Sequence, residues 1–307
     1  MQNCLAPDCD RIIFYLKAPY TVSPSHRNCL NSLGMSVGHY ENFPVASVLL
    51  PARLRHPVGV IYRFARTADD FADEGNIPAA QRLALLEDYR RELGRLRAGQ
   101  PPETPLFLDL GAVIKRQNLP FEPFFDLLDA FSQDAVKSRY ADFGQVLDYC
   151  RRSADPVGRL MLHLYGAAPG PNASTFLAWS DAICSALQLI NFWQDVEIDF
   201  AKDRIYLPQD EMARHGVAET QLAARDSGGG FKPLMHFQIE RARSMLLSGA
   251  PLTRRLPGRI GLELRMIVQG GLRILEKLER VNGDVFRHRP TLRAWDWPLM
   301  LLRTLNA

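Results

Sequence analysis

The chain has 307 residues, 47% hydrophobic and 23% charged, an ordinary globular balance that excludes wholesale disorder and fibrous repeats. Thirty-seven Lys and Arg against 34 Asp and Glu leave +3, too even a balance to imply nucleic-acid binding. Cys4, Cys9, Cys29, Cys150 and Cys184 form no C-x-x-C pair, which points to a reducing compartment and no zinc cage.

Residues 1–35 hold three of those cysteines together with Pro7, Pro19 and Pro24, and show no sustained period. They read as a poorly ordered leader or, about equally well, as a short strapped-on arm, and translation could start at Met1 or Met35. Asp8 and Asp10 precede the short apolar run Ile12–Leu16, the reverse of a secretory signal, so a cytoplasmic protein is expected. From His39 onward apolar residues recur at three- and four-residue intervals. Pro51 and Pro57 punctuate the entry to a helix over about 58–73. Further helices are predicted over about 78–98, 105–117, 121–138, 142–165, 173–200, 209–225, 231–249, 258–282 and 291–305. Breakers such as Gly99-Gln100-Pro101-Pro102 and Gly228-Gly229-Gly230 separate them, and no long linker divides the chain. The expectation is one all-α domain over residues 36–307. The weakly charged stretch Asn172–Gln194 carries Asp181 among Ser, Thr and Asn side chains, and reads as a buried helix rather than a membrane span.

Two acidic clusters carry the chemistry. In Arg66-Thr-Ala-Asp69-Asp70-Phe-Ala-Asp73, Asp69 and Asp73 lie one helical turn apart, with Asp70 beside them and Arg66 on the same face. Like charges at that spacing repel, yet the surrounding Val60, Ile61, Phe64, Ala68 and Phe71 are apolar. About 120 residues on, Gln188, Asn191, Asp195 and Asp199 fall at i, i+3, i+7 and i+11, a single helical stripe among Leu189, Ile190, Phe192 and Trp193. A solvated helix end explains either cluster alone about as well; two of them on apolar helices favour opposed carboxylates holding Mg²⁺. Arg66, Lys202 and Arg204 would add cationic donors to the same phosphate oxygens. A metal-bound diphosphate in an apolar helical setting suits ionisation of an allylic or cyclopropylcarbinyl diphosphate, with aromatic walls around the cation.

These segments resemble the trans-isoprenoid head-to-head synthase family, which contains squalene and phytoene synthases. His39-Tyr40-Glu-Asn42-Phe43, running on to Leu50-Pro51, is similar to its N-terminal substrate segment, with Asn42 where Ser or Thr is usual. Arg66-x-x-Asp69-Asp70-x-x-Asp73 matches the first aspartate motif. Tyr149-Cys150-Arg-Arg-Ser-Ala154-Asp-Pro156-Val157-Gly158 resembles an internal tyrosine segment, and Gln188-x-x-Asn191-x-x-x-Asp195-x-x-x-Asp199 through Arg204-Ile-Tyr206-Leu-Pro208 matches the second aspartate motif. The resemblance covers roughly residues 36–290 and implies an isoprenoid-synthase helical bundle around a central cavity. It implies metal ligation by Asp69, Asp73, Asn191, Asp195 and Asp199, and catalytic roles for these aspartates with Asp70 and Tyr149. It places His39, Tyr40, Phe43, Arg66, Gln188, Asn191, Arg204 and Tyr206 against substrate.

Within the family the wording around His39 and Asp69 is most similar to the bacterial hydroxysqualene-forming branch of hopanoid synthesis. That branch implies presqualene diphosphate as substrate, Mg²⁺ as cofactor and no nicotinamide. Alternatives are a synthase making presqualene diphosphate, squalene or phytoene from two prenyl diphosphates, and a non-catalytic helical assembly factor. Some positions stay open. Tyr149 is either a cation-facing ring or a core tyrosine with a bonded hydroxyl, and His39 either touches diphosphate or caps a helix. Pro156 with Gly158 either brings backbone up to the cavity or serves packing alone, and Gly270-Gly271 is expected to enlarge the cavity or admit a water. Arg254–Arg303 holds eleven Lys and Arg against five Asp and Glu and runs into Trp295-Asp-Trp297-Pro-Leu-Met-Leu-Leu, so peripheral contact with an anionic membrane is a further expectation.

Overall fold

The computed structural model describes residues 50–73, 77–168 and 170–306. The leader, Met35, His39, Tyr40 and Phe43 lie outside them. Among the described residues there are fourteen helices and no strand: α1 Ala52–Asp73, α2 Ala79–Arg97, α3 Pro105–Gln117, α4 Glu122–Asp134, α5 Phe143–Ser153, α6 Asp155–Leu164, α7 Ala173–Gln194, α8 Val196–Ala201, α9 Gln209–Arg214, α10 Glu219–Ala223, α11 Phe231–Gly249, α12 Leu252–Arg255, α13 Gly258–Arg280 and α14 Asp296–Asn306.

The bundle forms because nearly every long helix has one apolar stripe to bury. On α1 the stripe is Leu54, Val58, Ile61, Phe64, Ala68 and Ala72, all buried at three- and four-residue steps. Phe64 is its anchor, with the rings of Tyr89, Phe107 and Phe124 at 5.9, 5.8 and 5.4 Å. Thus α1 packs on α2, α3 and α4 through one face. Arg66, Asp69, Asp70 and Asp73 fall on the opposite face.

The central helix is α7, flanked by α5, α6, α11 and α13, with α14 laid along α13. By length and composition α7 could cross a bilayer, but here it buries Ile183, Ala186, Leu189, Ile190 and Trp193 as the middle of the bundle. Its neighbours come close at glycines. A methyl group on Gly249 of α11 would meet the Trp179 carbonyl oxygen and, at 2.7 Å, Ile183 Cγ1. At the junction of α5, α6 and α7 a buried carboxyl, Asp155, accepts the Ser185 hydroxyl at 2.8 Å.

Several expected helices are divided. The 142–165 segment breaks at Ala154, one step before Asp155-Pro156, because Pro156 has no N–H to carry the hydrogen-bond ladder through and fits the first turn of a new helix. The 209–225 segment breaks where Gly216 takes φ +67°. Conversely, α1 starts at Ala52, earlier than expected, and carries Pro57 inside it. Two glycine expectations are settled by packing. A methyl on Gly158 would meet Ser180 Oγ and, at 2.6 Å, Cys184 Sγ, so that glycine serves the α6–α7 contact and not a cavity. A methyl on Gly271 would meet Leu187 and Leu246 at 2.9 Å, and one on Gly270 would meet Met300 at 3.4 Å, so core side chains fill the space expected to be open.

Candidate active site

The first acidic cluster stands on the last two turns of α1. Arg66 Nη1 reaches Asp69 Oδ2 at 3.2 Å and Arg66 Nη2 reaches Asp70 Oδ1 at 2.6 Å, so one guanidinium spans both acids. Desolvation first, and then the neighbouring Asp73 charge, push the Asp69 carboxyl up to about 7.

The second cluster is not on one straight helix. The helical run ends at Gln194, and Asp195, with φ −107° and ψ 14°, stands at a break before α8. Two features fix that break. The Asp195 N–H is shared between the carbonyls of Asn191 (3.0 Å) and Phe192 (3.3 Å), and the buried Gln194 amide donates to the Pro290 carbonyl at 2.7 Å. The hydrogen-bond ladder nevertheless resumes, with Asp199 N donating to Asp195 O at 2.7 Å. Gln188 and Asn191 lie half-buried on the last turns of α7.

Beyond α8 the strip Lys202–Pro208 is held by residues 138–141. Ile205 N donates to Ser138 O at 2.9 Å, and Arg139 grips Asp203 at 2.8 Å and Glu219 at 2.8 and 2.9 Å. This strip joins the two clusters. Arg204 Nη1 meets Asp73 Oδ1 at 2.5 Å and Lys202 Nζ meets Asp73 Oδ2 at 3.5 Å. Asp199 is raised well above the usual carboxylate range by desolvation and then by Asp195, with Arg204 opposing. The Asp73 charge acts on Asp69 and Asp199 alike, so both acidic segments share one electrostatic site.

An aromatic wall adjoins the acids. Tyr206 stacks on Phe192 at 3.7 Å, and Tyr140 and Tyr149 lie within 5.8 Å of it and of each other. Tyr149 is buried and donates its hydroxyl to Asp134 Oδ2 at 2.6 Å, the bonded-hydroxyl arrangement. Desolvation, followed by the Asp134 charge, raises the Tyr149 and Tyr206 hydroxyls well above their usual range, so both rings stay neutral. Phe192, Asp199, Arg204 and Tyr206 line one cavity of about 10 Å³, room for about one water. Of the acids of the two clusters, only Asp199 borders this cavity.

Two residues at the site carried no sequence signal. Asp134, at the end of α4, is desolvated to about 7, and its Oδ1 is buried without a hydrogen-bond partner. Arg204 also donates to the Asp134 backbone carbonyl at 3.2 Å, linking α4 to Asp73. Arg289 closes a bidentate pair on Asp195, at 2.5 and 3.1 Å. Asp134 is a lone acid at a helix end, and Arg289 is one of many arginines; only the fold brings them in.

Among the described residues no three His, Cys, Asp or Glu side chains converge closely enough to hold a metal ion as they stand. Arg66, Lys202 and Arg204, expected to face phosphate, hold acids instead, and Arg289 does the same at Asp195. The donor chemistry still fits a hard divalent cation. All candidate ligands are oxygens, and Asp69 and Asp199 are crowded by other carboxylates in a desolvated setting that extra positive charge would relieve.

Residues 37–296 match the squalene/phytoene synthase family. A hydroxysqualene synthase of Rhodopseudomonas palustris is 34% identical over 241 residues, covering 78% of this chain and 80% of that protein. A 15-cis-phytoene synthase of Synechococcus elongatus is 28% identical over 308 residues, covering 94% of this chain and 96% of that one. Among solved structures, the squalene synthase HpnC from Alicyclobacillus acidocaldarius superposes with a TM-score of 0.73 at 35% identity, over 83% of this chain and 92% of that one. Matching motifs, an all-helical bundle and acidic segments that meet across it lead to one assignment: the chain belongs to the squalene/phytoene synthase family of isoprenoid synthases.

Proposed function

We propose that the chain is a hydroxysqualene synthase, converting presqualene diphosphate and water to hydroxysqualene and diphosphate for hopanoid synthesis. The observation that carries a diphosphate-ionising reaction is the meeting of both acidic segments at Asp73, through Arg204 and Lys202, beside a wall of neutral rings. The choice of reaction within the family rests on likeness to a hydroxysqualene synthase, at 34% identity against 28% for the phytoene synthase.

In this reading Asp69, Asp73, Asn191, Asp195 and Asp199 would hold Mg²⁺, which supplies charge neutralisation for the departing diphosphate. Arg66, Lys202 and Arg204 bind phosphate oxygens, exchanging carboxylate partners for the more highly charged diphosphate. The ester C–O bond breaks with its electron pair leaving on diphosphate. The rings of Phe192, Tyr206 and Tyr149 then present π faces to the cation. Neutrality matters here, since a phenolate would trap the cation as an ether. After rearrangement, water oxygen forms the new C–O bond and one proton is released. No reductant is consumed, so the reaction calls for no nicotinamide.

A second reading has a specific observation behind it: the phytoene synthase likeness spans 94% of this chain, which favours a condensation of two prenyl diphosphates. Incubation with presqualene diphosphate and Mg²⁺ without reductant, followed by lipid extraction, separates the two. Hydroxysqualene is the expected product, and Asp70→Asn or Asp195→Asn abolishes it. Inert presqualene diphosphate, with turnover of farnesyl or geranylgeranyl diphosphate instead, establishes the second reading.

A further inference from the structure

The helix α14 has one side locked and the other bare. Asp296, fully buried, accepts from Arg273 Nε at 2.7 Å, from the Arg293 N–H at 2.7 Å and from Lys277 Nζ. Met300 and Thr304 follow at four-residue steps, 2% and 0% exposed, and Thr304 Oγ1 donates to Met266 Sδ at 3.2 Å. These contacts set the rotation of the helix. Leu301, Leu302 and Leu305 therefore face out, at 47, 59 and 69% exposure, with Trp295 at 64% at the helix start. Four of the ten exposed large hydrophobic side chains among the described residues thus fall within residues 295–305. Single exposed apolar residues need no explanation, but a cluster on one helix face does.

The charge around this face has one sign. Contacts of Asp296 with Arg273 and of Thr304 with Met266 run α14 antiparallel to α13, so its far end points toward Gly258. There Arg254, Arg255 and Arg259 are exposed, and Arg293 lies over the Trp295 ring at 5.1 Å. None of these four arginines ion-pairs with a described carboxylate. The acids of the region are withdrawn: Glu263 and Asp296 are buried, Arg273 and Arg303 hold Glu276, and Arg243 holds Glu279.

We propose that α14 is a membrane-docking helix that lies flat on an anionic bilayer, with Leu301, Leu302, Leu305 and Trp295 entering the headgroup–acyl boundary. Arg254, Arg255, Arg259 and Arg293 meet the lipid phosphates. Protruding leucines beside unpaired arginines, with no exposed acid interleaved, complement a negatively charged lipid surface. The inference stands whichever head-to-head reaction the site performs.

The test is flotation of the full chain with vesicles of phosphatidylcholine alone and of phosphatidylcholine mixed with phosphatidylglycerol. Binding to the anionic vesicles only, reversed by high salt, is expected. Leu302→Glu/Leu305→Glu and, separately, Arg254→Glu/Arg255→Glu each weaken it by about tenfold or more, with unchanged melting because these side chains are exposed. Equal recovery with both vesicle types, or anionic binding that both variants retain, overturns the proposal. So does a wild-type protein that ignores vesicles but self-associates through leucines that Leu302→Glu/Leu305→Glu disables, since the face is then a contact between copies.

Discussion

Among the described residues the Tyr149 hydroxyl proton has a single acceptor, Asp134 Oδ2, and that carboxyl is itself desolvated. The pair acts as one unit: losing either partner leaves the other buried and misdirected. Tyr149→Phe and Asp134→Asn are therefore each expected to lower kcat by roughly tenfold or more, with the double variant no slower than the poorer single one. Additive losses in a double-mutant cycle would show that the two side chains work separately. Such a unit is invisible in the sequence, because Tyr149 carries a motif and Asp134 carries none. Asp69, Asp73, Asp195 and Asp199 were legible for the opposite reason, since repelling acids at helical spacing within apolar sequence need an electrostatic cause. Arg66 was legible at the same spacing; what the spacing could not reveal was that Arg204 and Arg289 hold Asp73 and Asp195.

Helices were legible where a stripe and its breakers agreed, as for α3 and α11, whose bounds match expectation. They were misjudged where a proline or a left-handed residue let the chain turn within an apolar run, at Ala154 and Gly216, and at Asp195, where the ladder is interrupted by a shared N–H and by the Gln194 bond to Pro290. Glycine was the other source of error, because the same residue type marks open space, a turn or a helix crossing. The crossings are testable. Gly249→Ala drives a methyl into the Trp179 carbonyl and should destabilise the protein by about 1–3 kcal/mol in urea unfolding. Gly94→Ala, inside α2 with nothing within 4 Å of the added carbon, should instead stabilise by about 0.5–1 kcal/mol. Equal effects at the two sites would remove the α7–α11 crossing as the reason for Gly249.

The molecule as a whole turns its polarity inward in one place and its apolarity outward in another. Acids from α1, α4 and the α7–α8 break share a desolvated interior, while leucines of α14 face solvent. The acids were readable from their spacing within apolar sequence, and the C-terminal face only as a pattern of charge and tryptophan; which leucines emerge depended on Asp296 being locked. Inward polarity also makes the protein a proton store. Asp155, held by Ser185 where α5, α6 and α7 meet, is raised by burial from 3.8 to about 7. Between those values the folded chain keeps a proton that the unfolded chain has released, so folding takes up protons and stability falls as pH climbs through that window. Above about 7 this slope ends, with the charged carboxyl costing about 1.4 kcal/mol for each unit of the rise. Asp155→Asn keeps an acceptor for the Ser185 hydroxyl without the charge, so its unfolding free energy should differ less between pH 5 and pH 8, within the window set by 3.8 and about 7. The buried carboxyl that pins three helices together thus makes the bundle sturdier in mild acid than in mild base.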